Sequence, residues 1–118
     1  MVTEADVRRI ALALSHTTER PSYGTPGFRV KDRLFARVHQ DDGVLVLWCA
    51  HLLEKESLIE SEPAIFFTTP HYDGYAIVLV RMGAVGLDQL EDLLALAWYV
   101  RAPARLRAAF DAGRPEER

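Results

Sequence analysis

The alternation of side chains in residues 28–49 constrains the fold more than any other feature of the chain. Apolar residues recur there with a period of two, the period of a β-strand, and turn residues divide them into three runs. The first two runs are separated by Lys31-Asp32, and the next two by QDDG, whose Gly43 can take a positive φ. We therefore predict three antiparallel strands, the third of which, residues 44–49, is apolar on both faces and central in the sheet.

Strict alternation assigns the residues of the predicted hairpin to two faces. Before the turn, Phe28 and Val30 share one face, and Arg29 and Lys31 share the other. After the turn, one face carries Leu34, Ala36 and Val38, and the other carries Phe35 and Arg37.

The rest of the chain changes between helical and strand periodicity. Thr3 has the side chain and position of a helix N-cap. Pro63, Pro70 and Pro103 mark element ends. The predicted elements are a helix at 4–14, an ordered loop at 15–27, a helix at 52–59, a strand at 64–67, a turn at 71–74, a strand at 75–80, a helix at 87–98, a short helix at 103–110 and a frayed tail at 113–118.

These elements predict one α+β domain over residues 1–118, an antiparallel meander sheet with N- and C-terminal helices packed on one face. The composition, 49% hydrophobic and 26% charged, is that of a soluble globular protein, and no apolar run is long enough to cross a bilayer. No signal peptide is recognisable, so we expect a cytoplasmic protein without a membrane partner. Cys49 is the single cysteine of the sequence, so it cannot form an internal disulfide.

The charges are unevenly distributed along the chain. The formal net charge is −3, which gives no overall reason to bind nucleic acid, yet residues 19–37 carry five basic side chains and two acidic ones. Arginine suits phosphate because its planar fork makes paired hydrogen bonds. Weak, salt-dependent contact with DNA is one interpretation, and the wet side of an ordinary edge hairpin is the other. The candidate phosphate contacts are Arg29, Lys31, Arg33 and Arg37.

A second group of candidates is aromatic. The segment HYDGY, residues 71–75, either serves only the backbone reversal or forms a second contact site with a planar ligand or base. Trp48 is either a core residue or part of a platform on the sheet. The candidate contacts in this group are Trp48, His71, Tyr72 and Tyr75.

Catalytic and metal chemistry find little support in the residues. No nucleophile, base and orienting group can be paired, and the four histidines lack metal-binding spacing. Cys49 ends an apolar strand, where a cysteine is typically a small buried hydrophobe. We therefore expect no enzyme activity, no catalytic residue, no metal and no cofactor.

Three stretches, YGTPGFRVKDRLFAR, TTPHYDGYAIVLVR and LLALAWYVRAPARLRAAFD, together resemble the MmcQ/YjbR family of small bacterial proteins. The resemblance implies a fold like that of CyaY and frataxin and a double-wing protein that binds DNA, with residues 28–37 as one wing. A homodimer would double the phosphate contacts. The iron role of frataxin-like proteins is not carried over, because helix one sets Arg8 and Arg9 beside its acids Glu4 and Asp6.

Two hypotheses of different classes follow. In the first, the protein is a small DNA-binding module that contacts phosphates through the basic hairpin. In the second, it is a non-enzymatic interaction or small-ligand-binding domain that uses the open sheet face near Trp48, Tyr72 and Tyr75.

Overall fold

Residues 1–113 are described by the computed structural model, and in this part of the chain one antiparallel sheet of six strands carries four helices. The strands are β1 (Thr17–Ser22), β2 (Thr25–Val30), β3 (Arg33–Val38), β4 (Val44–Trp48), β5 (Phe66–Phe67) and β6 (Ile77–Arg81). The helices are α1 (Glu4–Ala13), α2 (Leu52–Ser61), α3 (Leu87–Arg101) and α4 (Ala104–Asp111). The sheet order is β1-β2-β3-β4-β6-β5. The predicted α+β class and the central place of β4 are confirmed.

The long helices cover one face of the sheet and bury the main core against it. Helix α3 contacts β2, β3 and β4, while α1 contacts α3 and β1. The main core joins strand residues such as Phe28 and Leu47 to Leu94 and Trp98 of α3. The predicted packing of N- and C-terminal helices on one face is therefore confirmed.

The start of α1 is capped as predicted. Thr3 Oγ1 accepts a hydrogen bond from the Asp6 amide at 3.3 Å, and the Asp6 carboxylate accepts one from the Thr3 amide at 2.9 Å. The bonds from Thr3 lower the pKa of Asp6. Pro103 separates α3 from α4, also as predicted. Of the predicted frayed tail, residues 114–118 lie outside the described part of the chain.

The prediction of an ordered loop at 15–27 is wrong, because this segment forms β1 and the first half of β2. The two strands pair along their whole length, from Thr17↔Val30 to Ser22↔Thr25. Their polar, proline-containing sequence hides the strand period because β1 is an edge strand with half of its side chains exposed to water. One additional strand, β1, therefore precedes the predicted hairpin, which is formed by β2 and β3.

Two tight turns build the β1-β2-β3 meander. Each has two residues, Tyr23-Gly24 and Lys31-Asp32, and all four have positive φ, at 53°, 81°, 48° and 68°. Positive φ at both positions is the requirement of a type I′ hairpin turn, whose twist matches that of the strands. The predicted turn at Lys31-Asp32 is confirmed, although lysine disfavours this conformation and aspartate adopts it less readily than glycine.

Replacing Lys31 with Asn and Asp32 with Gly is expected to raise the free energy of unfolding by about 1 kcal/mol, because both new residues tolerate positive φ better. Urea denaturation measures the difference. Asp32→Ala is the control, since it removes the exposed carboxylate that pairs with Arg20 but keeps a Cβ at φ 68°. A double variant no more stable than the wild type would contradict the assignment of strain to this turn.

A β-bulge in β3 changes which residues share a face. Consecutive pairs on β2 and β3 are Gly27↔Arg37, Phe28↔Ala36 and Arg29↔Leu34. Phe35 is skipped by this pairing, and Phe35 and Ala36 are both fully buried in the main core. The prediction that Phe35 shares a face with Arg37 is therefore wrong. Leu34 and Arg37 lie on the other face, where Arg37 pairs with Val46 of β4.

We call the sheet face that carries Arg37 the open face, and we define it by the residues of β4 and β6 whose side chains lie on it. These residues are Val44, Val46, Trp48, Ile77 and Leu79. The helices do not cover it; Tyr72, from the connection between β5 and β6, packs there on Val46 and Leu79. Among residues 1–113, no helix combines the length and the apolar character needed to span a membrane.

Candidate functional site on the open sheet face

The basic side chains of residues 20–37 lie in different environments. Arg37 is buried, with 6% of its surface exposed. Arg20 forms an ion pair with Asp32 at 3.0 Å. Arg29 is half-buried, and its Nε is a buried donor with no hydrogen-bond acceptor within the described chain. Both interpretations of the basic segment place Arg37 at the surface, and its burial shows that this is wrong.

Lys31 and Arg33 are exposed near the β2-β3 turn and, unlike Arg20, have no ion pair with a carboxylate among residues 1–113. Arg33 donates a hydrogen bond to the backbone carbonyl of Arg101 at 3.3 Å, which places it beside the end of α3. Arg101 in turn donates from Nε to the Leu34 carbonyl at 2.9 Å. Burial and the nearby charge of Arg33 lower the pKa of Arg101. The hairpin and the end of α3 thus form one small basic area.

Arg37 is held by neutral groups instead of carboxylates. Its Nη2 donates to the Tyr72 hydroxyl at 2.7 Å. Its Nη1 contacts three acceptors at 3.3 Å, namely Thr25 Oγ1, the Val38 carbonyl and Gln40 Oε1. The Tyr23 ring lies 5.5 Å from the guanidinium carbon. Within residues 1–113, no Asp or Glu pairs with this buried cation.

A second buried cation fixes the segment that carries Tyr72. Lys55 of α2 is 3% exposed, and its ammonium donates to the carbonyls of Tyr72 at 2.6 Å and Tyr75 at 2.9 Å. The same segment is closed internally, because the amides of Tyr72 and Asp73 both donate to the Thr69 carbonyl. Tyr72 is therefore held by Lys55 through its backbone and by Arg37 through its hydroxyl.

A cavity of about 570 Å³ lies on the open face next to Arg37 and Tyr72. Its volume falls within the range of small-molecule sites. The cavity opens between the sheet, the Tyr23-Gly24 turn and the 69–72 segment. Its walls are formed by Tyr23, Leu34, Arg37, His39, Gln40, Trp48, Thr69, His71, Tyr72 and Ile77.

The structure brings together three of the four predicted aromatic candidates. Trp48, His71 and Tyr72 line the cavity, and the His71 and Tyr72 rings meet edge to face at 4.8 Å. Trp48 is half-buried, and the Arg101 guanidinium lies 5.8 Å from its ring. Tyr75 is not among the wall residues and is 62% exposed. Of the four predicted phosphate contacts, Arg37 lines the cavity.

Several residues of the site carry no signal in the sequence. Tyr23 reaches the cavity only because β1 and β2 form a hairpin, and Leu34 only because of the bulge at Phe35. Lys55 stands between Glu54 and Glu56 in α2, a place where a lysine is normally solvated. Tyr23-Gly24, between two short polar runs, is the signal that could have indicated the first hairpin.

The described residues show no sign of metal or thiol chemistry. Between Met1 and Gly113, no group of three or more His, Cys, Asp or Glu side chains could hold a metal ion. Cys49 is buried, and burial, followed by the charge of Glu54, raises the pKa of its thiol to about 12. The thiol therefore stays protonated and weakly nucleophilic at neutral pH.

Comparison with known proteins gives a family and a fold. A family model described as YjbR matches residues 12–100. Two mycobacterial proteins, uncharacterized protein Rv2570 of Mycobacterium tuberculosis and uncharacterized protein Mb2600 of Mycobacterium bovis, are each 48% identical to this chain over 56 residues. The aligned part is 48% of this chain and 43% of each relative, so the match spans less than half the length of the curated relatives.

A solved structure has the same fold. It is the crystal structure of Deinococcus radiodurans protein DR2400, which carries the family-model domain DUF419. The TM-score is 0.73, with 22% identity, over 100% of this chain and 93% of that one. At this identity the likeness concerns the fold alone.

Proposed function

The chain belongs to the YjbR family, and from this premise we propose that it is a small-ligand-binding domain that holds its ligand in the cavity of the open face. The observation that carries the proposal is Arg37, a buried cation in the cavity wall without a carboxylate partner in the described chain. A charge is rarely kept in such a place for stability alone, because its desolvation is costly. The role is binding, since no nucleophile and base are paired around the cavity.

The rest of the cavity supports the same function. Its walls combine apolar surface from Leu34, Trp48 and Ile77 with a few polar groups directed by hydrogen bonds, as in typical ligand sites. The polar groups are pre-organised: Arg37 is held by Tyr72, and Tyr72 is held by Lys55. Pre-organised groups lose little conformational entropy when a ligand binds.

A thermal-shift screen of a metabolite library tests this proposal. A compound at ten times its Kd is expected to raise the Tm by roughly 5 °C, because it binds only the folded state. Thr69→Phe should remove the shift by filling the cavity from its half-buried wall. Thr18→Phe, on the exposed edge strand β1, is the matched control and should keep it. The proposal would be contradicted if no compound raised the Tm, or if Thr69→Phe left the shift in Tm unchanged.

Weak DNA binding is the second candidate, and the observation that favours it is the exposed pair Lys31 and Arg33 near the hairpin turn. With Arg37 buried and Arg20 paired with Asp32, this surface would make two or three phosphate contacts. Such binding is expected to weaken roughly ten- to fortyfold between 50 and 200 mM salt.

Fluorescence anisotropy with a short labelled duplex measures this binding. Lys31→Glu and Arg33→Glu should each weaken it severalfold, whereas Arg9→Glu on α1 has the same charge change and should have little effect. Arg37→Met separates the two candidates, because it should damage ligand binding and leave DNA binding unchanged. Equal DNA affinity in all these variants would rule out the hairpin as the contact surface.

A further inference from the structure

We propose, on the premise of the ligand-binding function above, that the cavity takes a small aromatic carboxylate, with its acid group on Arg37 and its ring beside Trp48. Three properties of the site lead to this class of compound. They are the sign of the charge in the cavity, the donors that Arg37 leaves unused, and the spacing between Arg37 and Trp48.

The charge of the cavity wall has one sign. Arg37 contributes a permanent positive charge, and the wall residues include two histidines but no Asp or Glu. A positive group in a partly dehydrated site interacts with a ligand charge more strongly than it would in water. An anion in the cavity would therefore supply the countercharge that the described chain does not provide.

The unused donors of Arg37 match a carboxylate. A guanidinium has five N–H donors. Within the described chain, the two on Nη1 serve three acceptors and one on Nη2 serves Tyr72, while Nε–H and the other Nη2–H make no hydrogen bond. Two neighbouring N–H groups form the fork that donates to both oxygens of one carboxylate. The Tyr72 hydroxyl, an acceptor toward Arg37, can in addition donate its own hydrogen to the ligand.

The spacing on the sheet fits a flat ring next to the acid group. Arg37 is directly opposite Val46, and Trp48 is two residues further along β4 on the same face. Diagonal neighbours of this kind lie about 7–8 Å apart, and their Cβ atoms are somewhat closer than that. A carboxylate on the guanidinium thus places an attached ring over the apolar surface of Trp48, Leu34 and Ile77, where aromatic contact is favourable.

The matched probes are 2-naphthoate and 2-naphthamide, which share a shape and differ in charge. By isothermal titration calorimetry, wild type is expected to bind the acid at least tenfold more tightly than the amide. In the ¹⁵N spectrum, the Arg37 Nε–H signal should shift with the acid alone. Arg37→Gln should lower the affinity for the acid to that for the amide. Arg37→Lys, which keeps the charge without the fork, should retain only part of the difference in affinity between acid and amide.

Arg29→Gln is the control variant, because Arg29 also has an unpaired Nε but is not among the cavity walls. It should leave the ratio of acid to amide unchanged. If wild type bound acid and amide equally well and Arg37→Gln changed neither affinity, this inference would be overturned and the ligand-binding proposal would stand. Tighter binding of 2-naphthyl phosphate than of the carboxylate would also overturn it, and no binding by any probe or library compound would overturn both.

Discussion

Lys55→Met is expected to lower the free energy of unfolding by about 2–3 kcal/mol. Lys55 is 3% exposed, and its ammonium is bound by the carbonyls of Tyr72 and Tyr75. Hydrogen bonds from a charged donor contribute more than neutral ones, and methionine keeps the length of the side chain while removing both. The backbone carbonyls cannot be removed with the donor, so the variant loses this stabilisation without compensation.

The effect should be local as well as global. The amides of Tyr72 and Tyr75 close the turn by donating to the carbonyls of Thr69 and Tyr72. Without Lys55, we expect their hydrogen exchange to become at least tenfold faster relative to amides of β4, because the segment opens more often. Ligand affinity should fall as well, since Tyr72 forms a wall of the cavity.

Lys31→Met is the matched control, because Lys31 is the other lysine of the chain and is exposed at the hairpin turn. It should change the free energy of unfolding by less than about 0.5 kcal/mol. Urea denaturation of both variants gives the comparison. If Lys55→Met were as stable as Lys31→Met, the ammonium would not be what fixes residues 69–75.

The parts of the fold that follow from local periodicity could be predicted from the sequence. Residues 44–49 are apolar at every position, and residues 87–98 repeat with a helical period, so burial alone determines both elements. β1 could not be found in this way, because an edge strand is solvated and needs no alternation. Its stability comes from pairing with β2, which is a tertiary contact.

The candidate site was predictable in its residue types more than in its geometry. Trp48 on the predicted central strand and His71 and Tyr72 in a predicted turn are candidate contacts by residue type, and all three line the cavity. Arg37 was selected as a surface cation, and its burial could not be foreseen because two distant contacts produce it. These contacts are the pairing with Val46 of β4, which places Arg37 on the open face, and the Tyr72 hydroxyl, which comes from a segment 35 residues away.

Arg37→Met combined with Tyr72→Phe is expected to raise the free energy of unfolding by about 1–3 kcal/mol while abolishing ligand binding. Replacing a buried polar or charged set by apolar groups of similar volume is often stabilising, because the desolvation of the charge is avoided. Here the buried acceptor, the Tyr72 hydroxyl, is removed together with its donor. The other acceptors belong to Thr25, Val38 and Gln40, which are half-buried or exposed and can bind water instead.

The comparison with Lys55 makes this prediction specific. Both cations are buried and lack a carboxylate partner among residues 1–113, but the acceptors of Lys55 are backbone atoms that stay after mutation. Urea denaturation of the double variant, of Arg37→Met and of Tyr72→Phe measures the three changes, and both single variants should be less stable than the double. A double variant less stable than wild type by more than 1 kcal/mol would mean that Arg37 serves the fold. A gain in stability with loss of binding is the result expected of a charge retained for a ligand, because function at such a site is maintained at the expense of stability.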